Sequence, residues 1–525
     1  MPTLSWIGKD KVLNHHNEVP YRILEKKYSY GDDQNGNMVI HGDNLEALKS
    51  LLPEYEGKVK CIYIDPPYNT GNEGWVYNDN VNDPRIKKWL GDVVGKEGDD
   101  LSRHDKWLCM MYPRLRLLQK LLSEDGAIFI SIDDNEQATL KIVCDEIFGS
   151  HNFVQILIWN KRVSPARDAR FFSSDHEYII VYAKNKNNLS THSLPRNEKN
   201  NSYYKNPDND PRGPWNSAAY TCNKSKDERP NLYYPLRNPF TGQEIWPKES
   251  AVWAYSQETY EQHVRDDLLY WGADGKAAQP RKKAFLSEVG DIIPRSVWNH
   301  SDVGSTQKAT LENNEIFGER KFTYPKVASL IERVLQIATD KDSIILDSFA
   351  GSGTTAHAVL NANKADGGSR RFILVEMEDY ADSITAERVR RVIDGYGEGN
   401  KAVPGTGGGF SFYELGEKLF ADSENLNPDV PVEEIRRYIW FMETRSDYTP
   451  CTDEEQCLLG IHNDTAYYFI YEKDSTTALN KQFLSGIKTK ADGYVIYADT
   501  CLIPDEIKFK YNITFKKIPR DITRL

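Results

Sequence analysis

The residues best suited to chemistry in this sequence are Asp65-Pro66-Pro67-Tyr68. They follow residues 61–64, a short apolar run rich in β-branched side chains that is typical of a buried strand. Two consecutive prolines fix φ and donate no hydrogen bond, so the chain after Asp65 is rigid and extended. A carboxylate and an aromatic ring therefore stand at the carboxyl end of a strand, where open α/β sheets bind ligands. An ordinary proline-rich turn is the alternative, although a turn needs no aromatic residue after the prolines.

A second candidate site is a glycine-containing turn within residues 344–355, between an apolar strand and a helix. Gly351 and Gly353 allow a ligand to approach the backbone, and the helix N-terminus offers free N–H groups. No lysine follows the glycines, which excludes a phosphate-binding P-loop. Glu376 ends the next strand about 20 residues later, where this architecture binds ribose hydroxyls. The pattern favours a nucleoside cofactor without a bound pyrophosphate, commonly S-adenosylmethionine. The alternative is a helix-capping turn beside a surface glutamate.

The composition is that of a globular, water-soluble protein. The 525 residues are 39% hydrophobic and 27% charged, with a mean hydropathy of −0.63. There is no apolar run of the roughly 18 residues that a membrane helix needs. The seven cysteines are scattered without a Cys-x-x-Cys pair, which indicates reduced thiols, a cytoplasmic location and no metal site.

The charge is unevenly distributed along the chain. The net charge is −12, which is unusual for a protein that binds DNA, yet residues 161–330 sum to about +4 when Lys and Arg are counted against Asp and Glu. One moderately basic segment in an acidic protein is compatible with a localised nucleic-acid surface.

The elements that must position the two motifs form an α/β pattern. About seven apolar strand runs alternate with helices, which predicts a doubly wound sheet. The sheet is interrupted by a segment rich in Asn, Pro, Tyr and Trp and followed by a glycine-rich break. The predicted divisions are a polar N-terminal arm at 1–37, the first half of the sheet domain at 38–184, an inserted domain at 185–300, the second half at 301–400, and a small α+β domain at 410–525.

Together the two motifs resemble those of the amino-group DNA methyltransferases. Asp65-Pro66-Pro67-Tyr68 matches their catalytic tetrapeptide, and residues 349–353 match their Phe-x-Gly-x-Gly cofactor motif. The order of catalytic motif, insert and cofactor motif is similar to the β group. Further stretches at 131–136 and 294–299 resemble the Mod subunits of type III restriction-modification systems. The resemblance covers roughly residues 35–420. It implies a seven-stranded, Rossmann-like class I S-adenosylmethionine-dependent methyltransferase sheet with the insert as target recognition domain.

The resemblance also implies roles for individual residues. The tetrapeptide Asp65, Pro66, Pro67 and Tyr68 would be catalytic. Asp65 and the Pro66 carbonyl would accept hydrogen bonds from the target amino group, and Tyr68 would stack on the flipped-out base. The implied cofactor-binding residues are Asp43, Asp347, Phe349, Ala350, Gly351, Ser352, Gly353, Thr354 and Glu376. A Pro325-Lys326 pair lies where the family often has Lys-Pro, and its reversed order makes it a weaker match.

The implied activity is methyl transfer from S-adenosylmethionine to the exocyclic N6 of adenine at a specific DNA site. The implied partners are double-stranded DNA, a restriction subunit with helicase and nuclease functions, and a second copy of the chain. Four alternatives stay open. They are methylation of cytosine N4, a stand-alone methyltransferase, a non-catalytic recognition subunit, and a protein glutamine methyltransferase. The last of these favours Asn before Pro-Pro-Tyr, which Asp65 argues against.

Two further groups of residues have the right chemistry for DNA contact. Glu73, Trp75 and Tyr77 follow the tetrapeptide and could close over a flipped base. Basic and aromatic residues between 161 and 240 suit phosphate contact and base stacking, with surface loops and core aromatics as the alternative. These residues are Arg162, Arg167, Arg170, Phe171, Phe172, Tyr203, Tyr204, Trp215, Tyr220, Tyr233 and Tyr234.

Overall fold

The computed structural model describes residues 3–32, 36–70, 100–167, 169–421, 425–451 and 457–524. The chain forms two compact units. The first consists of Met1–His192 with Arg295–Leu525, and the second of Ser193–Pro294. No helix in the described residues is long and apolar enough to cross a membrane.

The first unit is organised around a ten-stranded sheet in the order β1-β10-β2-β9-β8-β3-β4-β6-β5-β7. The six strands from β10 to β4 run parallel, whereas β6 is antiparallel to β4 and to β5. In chain order the strands are β1 Arg22–Gly31, β2 Met38–His41, β3 Val59–Ile64, β4 Leu122–Ile132, β5 Phe153–Asn160, β6 His176–Ala183, β7 Val297–Trp298, β8 Ile344–Asp347, β9 Arg371–Glu376 and β10 Gly409–Lys418.

The central strands are buried on both faces because helices cover the sheet on each side. All residues of β3 and β8 are buried, as expected for continuous apolar runs in a parallel sheet. Ile62 and Ile64 lie in one core cluster with residues of the helices Asn44–Tyr55 and Asp100–Leu121. Their neighbours in β3 face the opposite side because side chains alternate along a strand. This arrangement confirms the predicted α/β fold.

Within the described part of the first unit, eight α-helices have eight or more residues. They are α1 Asn44–Tyr55, α2 Asp100–Leu121, α3 Gln137–Cys144, α4 Thr306–Phe317, α5 Ala328–Ala338, α6 Thr354–Asp366, α7 Glu387–Asp394 and α8 Val432–Thr444. Helix α1 packs on α2, and α5 packs on α6. A π-helical turn, Ala381–Ala386, precedes α7.

The sheet is wider than the seven strands that the sequence predicts. Seven of its strands, from β2 across to β5, form the expected set, and β1, β10 and β7 extend it at the two edges. Consequently the expected N-terminal arm at 1–37 is wrong, because β1 pairs antiparallel with β10. The predicted start of the C-terminal domain at 410 is also wrong, because β10 belongs to the central sheet.

The second unit, Ser193–Pro294, has short elements and its own core. A three-stranded antiparallel sheet consists of Trp215–Ala219, Leu269–Tyr270 and Arg281–Phe285. A nine-residue helix, Gln257–Arg265, begins at a Ser256 cap. The core is largely aromatic and contains Tyr220, Tyr234, Leu236, Trp253, Leu269 and Trp271. Its assignment as a target recognition domain stays a prediction.

The C-terminal residues form a four-stranded sheet of Leu458–His462, Thr465–Phe469, Gly493–Ala498 and Ile513–Lys517. Its α+β character is as the sequence predicts. It shares a core with the N-terminal region, since Tyr21 and Ile23 pack with Tyr438 of α8. For this reason it belongs to the first compact unit.

Candidate active site

The two sequence motifs meet at the carboxyl edge of the sheet. Asp65 directly follows β3, Asp347 ends β8 and Glu376 ends β9. These three strands are adjacent in the order β9-β8-β3. The carboxyl ends of adjacent parallel strands share one edge, so residues far apart in sequence are brought together where α/β folds bind ligands.

The Asp65 carboxylate is held by the ammonium group of Lys326. The Lys326 Nζ donates to Asp65 Oδ1 at 2.8 Å and to Oδ2 at 2.7 Å. Lys326 lies just before α5, so this ion pair joins the two halves of the sheet domain. Sequence reasoning gave Lys326 little weight because the order of its Pro-Lys pair differs from the family pattern.

The Tyr68 hydroxyl lies between two carboxylates. It is 2.8 Å from Asp65 Oδ1 and 3.0 Å from Glu177 Oε2, and it accepts a hydrogen bond from Lys326 Nζ at 2.9 Å. The same ammonium lies 4.9 Å from the centre of the Tyr68 ring. The ring is thereby fixed by its hydroxyl, with little freedom to rotate away from Asp65.

Glu177 is a site residue that the sequence analysis missed. It is the second residue of β6, is buried, and is 3.5 Å from Lys326 Nζ. Lys161 Nζ donates to its other oxygen, Oε1, at 2.8 Å. Asp65, Glu177, Lys161 and Lys326 thus form a partly buried network of two carboxylates and two ammonium groups. A charged residue inside an otherwise apolar strand was the available sequence signal.

The balance of burial and charge sets the ionisation of this network. Burial raises the pKa of Asp65, although Lys326 opposes the rise. Burial also favours a higher pKa for Glu177, but Lys326 and Lys161 together hold its pKa below the ordinary value. Burial would lower the pKa of Lys326, and the two carboxylates raise it instead. Lys326 therefore stays charged and Asp65 is the group most sensitive to its loss.

The backbone of the tetrapeptide is fixed by Trp107 of α2. Trp107 Nε1 donates to the Pro67 carbonyl at 2.7 Å. Consecutive carbonyls of an extended chain point in opposite directions, and among the described residues no donor contacts the Pro66 carbonyl. Asn69 ends the motif with a φ of 57° and donates from Nδ2 to the buried carboxylate of Glu136. One backbone acceptor is left available beside Asp65.

The glycine loop after β8 folds around Glu376. Gly351 N donates to Glu376 Oε2 at 2.7 Å, and Glu378 N donates to Oε1 at 3.1 Å. Gly353 has a φ of 80°, and a Cβ there would lie 2.9 Å from the Thr385 carbonyl oxygen. A glycine is therefore required at that position by both conformation and space.

Two carboxyl groups at this loop have raised pKa values. Burial raises the pKa of Glu376 to about 7, and backbone donors oppose the rise. Burial likewise raises the pKa of Asp347 to about 7, although Thr355 Oγ1 donates to Oδ2 at 2.5 Å and Phe349 N to Oδ1 at 3.0 Å. Each of the two carboxyl groups accepts one donor on each oxygen, and the remaining lone pairs of Glu376 fit a ligand that offers hydroxyl groups.

Three of the predicted cofactor residues have internal partners. Asp43 caps α1, since its Oδ1 accepts from Leu45 N at 2.9 Å and from Glu46 N at 3.0 Å. The hydroxyls of Ser352 and Thr354 accept from the buried Arg388 at 2.9 and 2.8 Å. The Ser352 and Thr354 side chains therefore link the loop to Arg388, and the roles of all three residues toward a cofactor stay predictions.

The aromatic and basic residues predicted to contact DNA separate into two groups. Trp215, Tyr220 and Tyr234 are buried in the core of the second unit, so the expectation of base stacking is wrong for these three. By contrast, Phe171, Phe172 and Tyr203 are exposed. Glu73, Trp75 and Tyr77 lie outside the described residues.

Comparison with known proteins identifies the class of protein. A family model described as DNA methylase matches residues 59–387, and this span contains both motifs. The chain belongs to the amino-group DNA methylase family. This family takes its methyl group from S-adenosylmethionine, which confirms the predicted cofactor.

Individual relatives sharpen this assignment. The chain is 33% identical over 417 residues to the Mod subunit of the type III restriction-modification enzyme StyLTI from Salmonella typhimurium, covering 74% of this chain and 62% of the relative. It is 34% identical over 395 residues to the type II methyltransferase M.KpnI from Klebsiella pneumoniae, covering 69% of this chain and 89% of the relative. The resemblance to Mod subunits is confirmed, although the chain spans less than two thirds of the length of these subunits.

Among solved structures, the PvuII DNA methyltransferase (cytosine-N4-specific) aligns with 14% identity and a TM-score of 0.36. The alignment covers 68% of this chain and 89% of that chain.

Proposed function

We propose that this protein is a site-specific DNA methyltransferase that transfers a methyl group from S-adenosylmethionine to N6 of an adenine turned out of the duplex. The observation that carries the proposal is the placement of Asp65 and Glu376 on one sheet edge, with β8 and its glycine loop between them. Asp65, which can accept hydrogen bonds from an amino group, therefore lies on the same sheet edge as Glu376, which can bind a nucleoside cofactor.

Asp65 has the acceptor capacity that this chemistry needs. An exocyclic amine is a poor nucleophile because its lone pair is delocalised into the ring, so orientation and hydrogen-bond acceptors supply most of the catalysis. A carboxylate offers about four lone-pair sites. Lys326 uses one on each oxygen and Tyr68 a second on Oδ1. One site on Oδ2 is left for an N–H of the target amino group, and the Pro66 carbonyl accepts the other N–H.

The cofactor residues of this chain bind and orient rather than react. Glu376 accepts hydrogen bonds from ribose hydroxyls, and the glycine loop lets the cofactor lie against the backbone. Bound there, the sulfonium group supplies an electrophilic methyl group. Asp65 and Pro66 hold the target nitrogen with its lone pair toward that methyl group, and Tyr68 stacks on the base.

The biological setting follows the relatives. We place the protein in a restriction-modification system as its modification subunit, acting as a homodimer on double-stranded DNA with a helicase-nuclease restriction subunit. The similarity to Mod subunits supports this setting, and the similarity to a type II methyltransferase over 89% of that enzyme supports a stand-alone methyltransferase as the second candidate. Cytosine N4 is the alternative target base, because the family includes both kinds of amino methylase.

The direct test is to express the gene in a host free of DNA methylation and map modified bases at single-base resolution. Methylated adenine N6 at one recurring sequence is the expected result. Recurring N4-methylcytosine would overturn the choice of base. Unmodified DNA, together with tritium from labelled S-adenosylmethionine appearing in protein, would overturn the proposed function.

A single substitution tests the role of the tetrapeptide. Asp65→Ala removes the carboxylate that orients the amino group, so methyl transfer is expected to be lost while cofactor binding, measured by calorimetry, is retained. The two functions separate because Glu376 and its loop lie on other strands. Normal methylation by this variant would refute the role given to Asp65.

A further inference from the structure

The connection between β5 and β6 carries two adjacent phenylalanines that are almost fully in solvent. Phe171 is 79% exposed and Phe172 is 93% exposed. Two large apolar side chains side by side on a surface are unusual, because folding normally buries them. We define the described residues of this connection, 162–167 and 169–174, as the Phe loop.

The Phe loop leaves the sheet beside the active site. The β5–β6 ladder ends at the pair Asn160↔His176, and Lys161 N then donates to the Asp175 carbonyl at 2.9 Å. Lys161 Nζ contacts Glu177, which in turn contacts the Tyr68 hydroxyl. The base of the loop is therefore connected to the tetrapeptide through two side chains.

Internal hydrogen bonds give the Phe loop a defined shape. Ala166 N donates to Ser173 Oγ at 2.7 Å, and this hydroxyl in turn donates to the Asp175 carboxylate. These bonds link Ala166, in the middle of the loop, to Ser173 near its end and to Asp175 just after it. Phe171 and Phe172 directly precede Ser173. The backbone beside the two rings is therefore fixed by these hydrogen bonds.

The loop is positively charged around the rings. Arg162, Arg167 and Arg170 are all exposed, and the Arg170 guanidinium lies 5.1 Å from the centre of the Phe171 ring. Among the residues that the structure describes, none of the three arginines forms an ion pair. Arginines that are free to bind phosphates, next to flat apolar rings, complement a nucleic acid in both charge and stacking.

We propose that the Phe loop is a wedge that enters the DNA next to the target base. Phe171 or Phe172 stacks between base pairs and fills the space left by the base that turns toward Tyr68, while the arginines bind the adjacent phosphates. Proteins insert apolar side chains at base steps in this way to unstack and deform the duplex. The inference rests on the proposed function, because only an enzyme that acts on a single base needs that base extruded.

The test compares two duplexes that carry the mapped target sequence. In one the target adenine is paired with thymine, and in the other it lies opposite an abasic position, where extrusion costs less. Single-turnover methylation is measured for the wild type, for Phe171→Ala with Phe172→Ala, and for each single variant. Phe509→Ala, which removes another 92% exposed ring in the same compact unit, is the matched control.

The double variant is expected to be slower than the wild type by about tenfold or more on the paired duplex, and near the wild-type rate on the abasic duplex. The control should match the wild type on both. An unchanged rate on the paired duplex would overturn the wedge and leave the rings as a surface for a protein partner. An equal loss of methylation rate by the double variant on both duplexes would also overturn the wedge proposal. A wild type inactive on both would instead refute the proposed function.

The phosphate-binding role of the arginines has a separate readout that does not involve catalysis. The triple variant Arg162→Gln, Arg167→Gln and Arg170→Gln is expected to lower the slope of log affinity against log salt by about 0.9 for each phosphate that the loop no longer neutralises, or roughly 2.7 in all. DNA binding with an unchanged salt slope would refute contact between this loop and the DNA.

Discussion

Replacing Lys326 by methionine isolates the electrostatic role of this side chain. Methionine keeps most of the volume and removes the charge. The side chain of Lys326 is 13% exposed, and its ammonium contacts both oxygens of Asp65 as well as Tyr68. Glu177 keeps a cation in the variant, because Lys161 remains 2.8 Å away. Asp65, by contrast, loses the ammonium group that contacts both of its oxygens.

The size of the effect follows from this loss. Removing one partner of a buried ion pair leaves an uncompensated charge, which typically costs about 3–5 kcal/mol. The carboxyl can escape part of the cost by taking up a proton, so the pKa of Asp65 should rise further above its ordinary value of 3.8. We expect the full loss of stability only at a pH where Asp65 is forced to ionise.

Stability and activity of Lys326→Met should depend on pH in opposite directions. Because the folded pKa of Asp65 lies above the unfolded pKa, stability falls as pH rises through the interval between them. Methyl transfer needs the ionised acceptor. At pH values below the folded pKa of Asp65, the rate should therefore increase by about tenfold for each unit by which the pH is raised. Urea unfolding with cofactor absent measures the first quantity, and single-turnover methylation measures the second.

The control is Asp65→Asn alone and combined with Lys326→Met. In the Asp65→Asn background, Lys326→Met should change the free energy of unfolding little, since no carboxylate at position 65 is left without its cation. A destabilisation by Lys326→Met that is independent of pH and equally large in the Asp65→Asn background would refute the reasoning. It would show that Lys326 matters through packing of its aliphatic chain.

Two further predictions concern the glycine loop. Burial raises the pKa of Glu376 to about 7, and hydroxyl donors of the cofactor should lower it, so wild-type affinity should increase with pH until about 7 and then level off. Glu376→Gln is expected to weaken cofactor binding by about 10–100-fold and to remove this pH dependence. A calorimetric affinity of the variant that followed the wild-type pH profile would contradict the prediction. Arg388→Met removes the donor shared by Ser352 and Thr354 and should destabilise the protein by about 2–4 kcal/mol with weaker cofactor binding. Thermal unfolding at the wild-type temperature would contradict this.

Local patterns predicted the strands that carry the chemistry. Strand β2, Met38–His41, coincides with a short apolar run, and β3 begins at Val59, two residues before the predicted run at 61–64. Each is a short apolar run that ends at Gly or at Asp-Pro, so the composition itself marks the boundary. The glycine loop was equally predictable, because a turn with positive φ values restricts which residues can occupy it.

Long-range pairing explains what the sequence did not predict. Strand β1 alternates partly buried and exposed residues, with Glu25, Lys26 and Lys27 in its middle, so it resembled a polar arm. Its partner β10 lies near the far end of the sheet domain, and nothing local indicates that pairing. Glu177 was missed for the same reason, since the meaning of a charge in an apolar strand depends on a neighbour that only the fold supplies.

The place of β3 in the sheet has a consequence for how the protein is made. On one side β3 pairs with β4, which is synthesised soon after it, but on the other side it pairs with β8. At translation rates of 5–20 residues per second, about 15–60 s pass between the synthesis of Asp65 and that of Glu376. For most of that time the tetrapeptide has neither Lys326 nor a cofactor loop beside it. A nascent or truncated chain can therefore contain Asp65-Pro66-Pro67-Tyr68 without the glycine loop, and the candidate site is complete only when the second half of the sheet has paired with the first.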